Sequence, residues 1–138
     1  MSASVTSDKA VARLRIVEAG EERVVLQVPE MNYQLYLRPT AAVNREPGKR
    51  IKGVVRLPVW KVDFVSAGGG SFFEPVIGRP RRVHGRAMGA MDGNRLVVDV
   101  VGTPVVADLP QRWIAEDIEP WTPVGLDIYE GATFEPVD

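Results

Sequence analysis

Apolar and polar residues alternate along much of this chain. Ala12-Arg13-Leu14-Arg15-Ile16 places an apolar side chain at every second position, the pattern of a strand with one buried face. Residues 19–22 (Ala-Gly-Glu-Glu) predict a turn, and the apolar run 24–28 a second strand. Tyr33-Gln34-Leu35-Tyr36-Leu37 predicts a third, with Pro29 and Asn32 supplying the break. Residues 40–44 leave room for one helical turn, ended by Pro47-Gly48. A fourth strand is expected at 51–57, and 59–65 continues or follows it. Pro58 between them marks an edge, a bulge or a bend, because proline lacks the ladder donor. The glycine-rich stretch 67–71 predicts a flexible turn before Phe72-Phe73.

The second half retraces this order. A strand at 83–88 meets Asp92-Gly93-Asn94, a strong hairpin signal between apolar runs, followed by strands at 96–101 and 105–109. In residues 111–118, Ile114 and Ile118 share one face if the segment is helical. Residues 123–129 form the next strand and 132–134 lead into the last.

Short matches link the halves. Val24-Val25-Leu26-Gln27-Val28 parallels Leu96-Val97-Val98-Asp99-Val100, and Glu46-Pro47 parallels Glu119-Pro120. Phe73-Glu74-Pro75-Val76 parallels Phe134-Glu135-Pro136-Val137, but at a shorter offset. An extra stretch around residues 56–68 of the first half reconciles the two spacings.

Each half therefore reads as three strands, a short helix, a strand and a closing strand. That order resembles the oligonucleotide/oligosaccharide-binding (OB) fold, a small Greek-key barrel. The resemblance spans nearly the whole chain and rests on element order. It implies an all-β protein of two tandem small OB-like Greek-key barrels, each with a short helix between strands three and four. The expected division is a disordered N-terminal tail at 1–10, a first barrel at 11–77 and a second at 78–138. One continuous β-barrel or sandwich is the alternative.

Composition bears on how such units would stand. The chain has 138 residues, of which 45% are hydrophobic and 25% charged, ordinary values for a protein with a core. Two units of roughly 60 residues would each be marginal alone, so the halves are expected to lean on one another. The absence of cysteine excludes disulfides and thiolate metal sites. Without an apolar leader or a long apolar run, the expectation is a soluble, cytoplasmic protein that does not enter a membrane.

Charge is unevenly distributed. Through Gly70 there are eleven Lys/Arg against seven Asp/Glu, a net +4; from Ser71 onward six against eleven, a net −5. In the OB resemblance, ligands use the exposed face of strands two and three and the loops beside it. With Leu35 and Leu37 inward, Tyr36 and Arg38 point outward; with Ile51, Gly53 and Val55 inward, Arg50, Lys52 and Arg56 do, preceded by Lys49. An exposed ring beside several cations suits single-stranded nucleic acid, which needs charge for phosphates and a flat surface for stacking. Tyr36, Arg38, Lys49, Arg50, Lys52 and Arg56 are the expected binding residues.

Residues 79–86, with four arginines and the lone His84, form the densest basic segment. They read as a linker whose arginines pair with acids such as Glu116, Asp117 and Glu119, with an extension of the phosphate-contacting surface as the alternative, and His84 as a surface or packing residue. In the second half, Val97 and Val106 are expected outward beside Asp99 and Asp108, a face suited to another protein or to a second copy of the chain, or equally to a buried contact between the halves. No catalytic, metal or cofactor site is expected. The glycine-rich stretch lacks the Lys and Ser/Thr of a phosphate-binding loop, and no motif surrounds the single histidine. The expectation is a non-catalytic module that binds single-stranded DNA or RNA, with a protein–protein adaptor or assembly subunit as the alternative.

Overall fold

One long strand, Arg50–Phe64, organises the architecture: its first half closes one ring of strands and its second half enters another. A computed structural model describes residues 7–65 and 70–137. The strands in chain order are β1 (Ala12–Ala19), β2 (Val24–Gln27), β3 (Gln34–Pro39), β4 (Arg50–Phe64), β5 (Phe72–Glu74), β6 (Ile77–Gly78), β7 (Arg82–Met91), β8 (Arg95–Val100), β9 (Thr103–Asp108), β10 (Pro123–Ile128) and β11 (Thr133–Pro136). The protein is all-β. The helical elements described are two 3-10 turns, Ser7–Ala10 and Ala115–Asp117. None is long and apolar enough to cross a membrane.

A closed five-stranded barrel forms from β1, β2, β3, β11 and β4. β1–β2, β2–β3, β11–β4 and β1–β4 pair antiparallel, and β3–β11 parallel. From Arg56 onward β4 joins a second circuit of pairings: antiparallel to β10, which continues through β7, β8 and β9, with β9 returning parallel to β4. The stretch expected as an insertion is thus the second half of β4. It pairs parallel with β9 and antiparallel with β10, as β11 does with β3 and β4. The similar endings take different places, since β5 pairs with β7 while β11 closes the first barrel. Both first hairpins also slip register at comparable points, between Ile16 and Glu18 and between Ala87 and Gly89.

The expected helical turns do not form as expected. At residue 40 the backbone N–H of Thr40 donates to the Phe134 carbonyl (2.9 Å), extending the β3–β11 ladder where a helix would have to begin. One turn offers little return for fixing its dihedrals, so a competing ladder bond prevails. In the second half the Asn94 amide intercepts the segment. Its Nδ2 donates to the carbonyls of Leu109 and Trp113, and its Oδ1 accepts from the Ala115 N–H. Only the three-residue 3-10 turn survives, with Ile118 buried and Ile114 exposed rather than sharing a face.

The principal core is continuous across both circuits, holding Leu14, Leu35 and Phe134 from one and Phe73, Leu96 and Leu126 from the other. A smaller cluster joins Ala10 to Val97 and Val106, with Val54 packed against it. Val97 and Val106 are therefore buried inside the chain rather than presented outward, beneath the 3-10 turn at Ser7–Ala10. The rest of the expected tail, residues 1–6, and most of the glycine-rich turn, residues 66–69, lie outside the described residues.

Candidate functional site

The β1–β4 ladder sets the site. Its register places Arg13 opposite Lys52 and Arg15 opposite Arg50. Because successive strand residues face opposite ways, Leu14 and Ile51 enter the core while all four cations are exposed. Together with Arg45 they line a cleft of about 420 Å³ facing Pro29 and Glu30. Arg13 and Pro29 also border a smaller cleft of about 270 Å³ reaching Thr103 and Pro104. At the other end, Arg45 and Arg50 border an open hollow that reaches Lys49. The result is an elongated basic trough across one wall of the five-stranded barrel.

Arg13, Arg15, Arg50 and Lys52 form no ion pair among the described residues. Arg15 Nη1 makes only a long contact, 3.5 Å, to the Gly48 carbonyl. Arg45 donates to the Arg50 carbonyl at 2.9 Å, fixing the rim of the trough.

The six expected residues separate. Lys49, Arg50 and Lys52 lie in or beside the trough. Tyr36 and Arg38 do not, because β3 is parted from β4 by β11 on one side and by β2 and β1 on the other. They line a different cleft with Arg23 and Arg79, and the Arg23 guanidinium lies 4.5 Å over the Tyr36 ring. Arg56 faces Thr133 on one side and Val106 on the other. It binds Asp108 at 2.8 Å, and that hydrogen bond raises the guanidinium pKa further. β4 is also interrupted as a basic face at Val54, which packs on the Ala10 cluster. Arg13 and Arg15 were missed as site residues. Their outward alternation was visible, but that β1 pairs with β4 was not.

A second polar cluster crosses β4, β10, β7 and β5. Arg82 donates to Asp127 (2.8 Å), to Asp63 (3.1 Å) and through Nε to His84 Nε2 (3.1 Å). These partners replace the expected Glu116, Asp117 and Glu119. The bond from Arg82 requires His84 to be neutral at Nε2. Burial lowers the imidazole pKa, and the adjacent Arg82 charge lowers it further. His84 also stacks on Phe72, with ring centroids 4.3 Å apart, while its Nδ1 is buried without a hydrogen-bond partner. Gly125 permits this packing, since a Cβ there would lie 2.6 Å from Arg82 Nη2.

Among the described residues no group of three or more His, Asp or Glu side chains is placed to hold a metal ion. Trp60 and Trp121 are exposed, and Trp113 packs on the core. No protein-family model, curated protein or solved structure matches the chain.

Proposed function

We propose that this protein is a non-catalytic binding module that holds single-stranded DNA or RNA along the β1–β4 trough. The observation that carries the reading is the set of facing cations, Arg13 with Lys52 and Arg15 with Arg50, none of them in an ion pair among the described residues. Like charges directly opposite in a ladder cost stability. A polyanion laid between them removes that cost and releases its own counterions. The joined clefts favour an extended ligand over a compact one. Among the described residues lining the trough none is aromatic, so contact is chiefly with phosphate and tolerant of sequence.

In this reading the two circuits are two small OB-like barrels of one plan. They share β4 and exchange closing strands, β11 serving the first and the second half of β4 the second. The adaptor alternative loses Val97 and Val106 to the interior; exposed apolar side chains elsewhere remain open to it, among them Trp121, Phe64 and the pair Trp60 and Tyr129, with ring centroids 6.5 Å apart.

Binding of labelled single-stranded oligonucleotides across a salt series tests the proposal. Four phosphate contacts predict a slope of log K against log salt of about −3. Replacing Arg13, Arg15, Arg50 and Lys52 by Gln should remove most of that slope. Absence of binding at low salt overturns the reading.

A further inference from the structure

The cleft that holds Tyr36 differs in kind from the trough. It lies where β3 changes neighbours: Gln34 and Leu35 pair with β6, Arg38 and Pro39 with β11, and Tyr36 and Leu37 pair with neither. The gap in the ladder is a hollow of about 300 Å³. That volume lies at the small end of ligand pockets and suits one compact molecule rather than a polymer.

Its lining combines three chemistries. Arg23 is fixed by Glu18 at 3.0 and 3.2 Å and lies over the Tyr36 ring, and the stacked pair forms one wall of the hollow. Arg38 and Arg79 form no ion pair among the described residues and present positive charge to the hollow. Glu22 and Glu130 complete the rim with acceptors. A molecule with a planar ring, hydroxyl or amine donors and one anionic group matches all three features.

We propose that this hollow is a mononucleotide site, separate from the trough. The base lies against the Tyr36–Arg23 wall, the phosphate sits between Arg38 and Arg79, and Glu22 and Glu130 accept from ribose hydroxyls or an exocyclic amine. Stacking on a ring and charge-assisted bonds to phosphate together discriminate against either fragment alone.

The experiment is a titration of the full chain, followed by backbone amide NMR, with AMP, adenosine and inorganic phosphate as separate probes. AMP should saturate at up to millimolar concentration and shift the amides of Tyr36, Arg38, Arg79 and Gly131, with adenosine and phosphate each binding roughly tenfold or more weakly. Arg38→Gln with Arg79→Gln should weaken AMP while leaving the oligonucleotide salt slope intact; Arg50→Gln with Lys52→Gln should do the reverse. Tyr36→Leu, at a half-exposed position, should reduce AMP binding to that of phosphate. No AMP-dependent shift at these amides, or phosphate binding as well as AMP, overturns the proposal. Since the trough is read by a different ligand and different variants, failure of either site leaves the other standing.

Discussion

Arg15 on β1 stands directly opposite Arg50 on β4, in the ladder that completes the first barrel. Two guanidinium groups on facing positions repel, and neither forms an ion pair among the described residues. Arg50→Glu therefore converts a repulsive cross-strand pair into an attractive one. The expected result is a gain of up to about 1 kcal/mol in stability with a loss of oligonucleotide retention at low salt. Thermal melts and binding on the same sample read both effects. Unchanged retention would remove the trough from the proposed interface.

Phe134 closes the first barrel and is fully buried, and its ring occupies the space that a side chain on Gly53 would need. Phe134→Ala should cost about 3–5 kcal/mol. Gly53→Ala should also destabilise, because the ring and the Glu135 carbonyl must both move to admit a methyl group. Urea unfolding would show both variants weakened, with the loss in Gly53→Ala relieved when Phe134 is replaced by Leu.

Arg82 ties β7 to β4 and β10 through Asp63 and Asp127, with the side chains of Arg82 and Asp127 only 25% and 20% exposed. Asp127→Asn leaves the guanidinium one charged acceptor short and should cost about 1–2 kcal/mol. The partial exposure keeps this below the cost of breaking a fully buried pair.

His84 makes the same cluster sensitive to pH. Its folded-state pKa lies below the ordinary value of 6.5, first from burial and then from Arg82, with Glu74, Asp63 and Asp127 opposing. Below pH 6.5 the unfolded chain takes up a proton more readily than the folded one, so stability rises with pH in that interval. The contribution is complete above 6.5 and is lost as pH falls through the folded-state value. Urea midpoints from neutral to mildly acidic pH should fall for the wild type, and should fall less for His84→Gln.

Asn94 sits in the left-handed region, φ 57°, and its amide holds the 109–115 segment from both ends. Asn94→Gly tolerates the backbone but removes these bonds, which should cost roughly 1–3 kcal/mol. Asn94→Asp keeps the acceptor for the Ala115 N–H and turns the donor into a repelled charge, so it should be no better. Hydrogen exchange at the Ala115 amide would rise in Asn94→Gly and stay protected in the wild type.

How far the sequence reaches is clearest around β4. Alternation correctly placed Ile51, Gly53 and Val55 inside and Arg50 and Lys52 outside. It left open whether the strand continues past Pro58, which β4 does unbroken, and did not reveal that Trp60 occupies a slip in register between Ile128 and Asp127. The matching Glu-Pro endings suggested equivalent closing strands, but short local similarity carries no record of which edge a strand joins. Tyr36 and Arg38 were rightly placed outward, yet the intervening β11 puts them in a different cleft from Arg50 and Lys52.

The sequence by itself determined the all-β class, the turns near Gly20 and Gly93, and the buried side of β1, β3 and the first half of β4. A period of two is a local property, set by the pleat, and it survives whatever the neighbours are. Only the tertiary structure decided the neighbours: β1 beside β4, β11 closing the first barrel, Arg82 between Asp63 and Asp127, and Ala10 over Val97 and Val106. Those pairings join residues up to about a hundred positions apart. They are selected by how the whole set of strands closes and buries its apolar faces, which no short window of sequence contains.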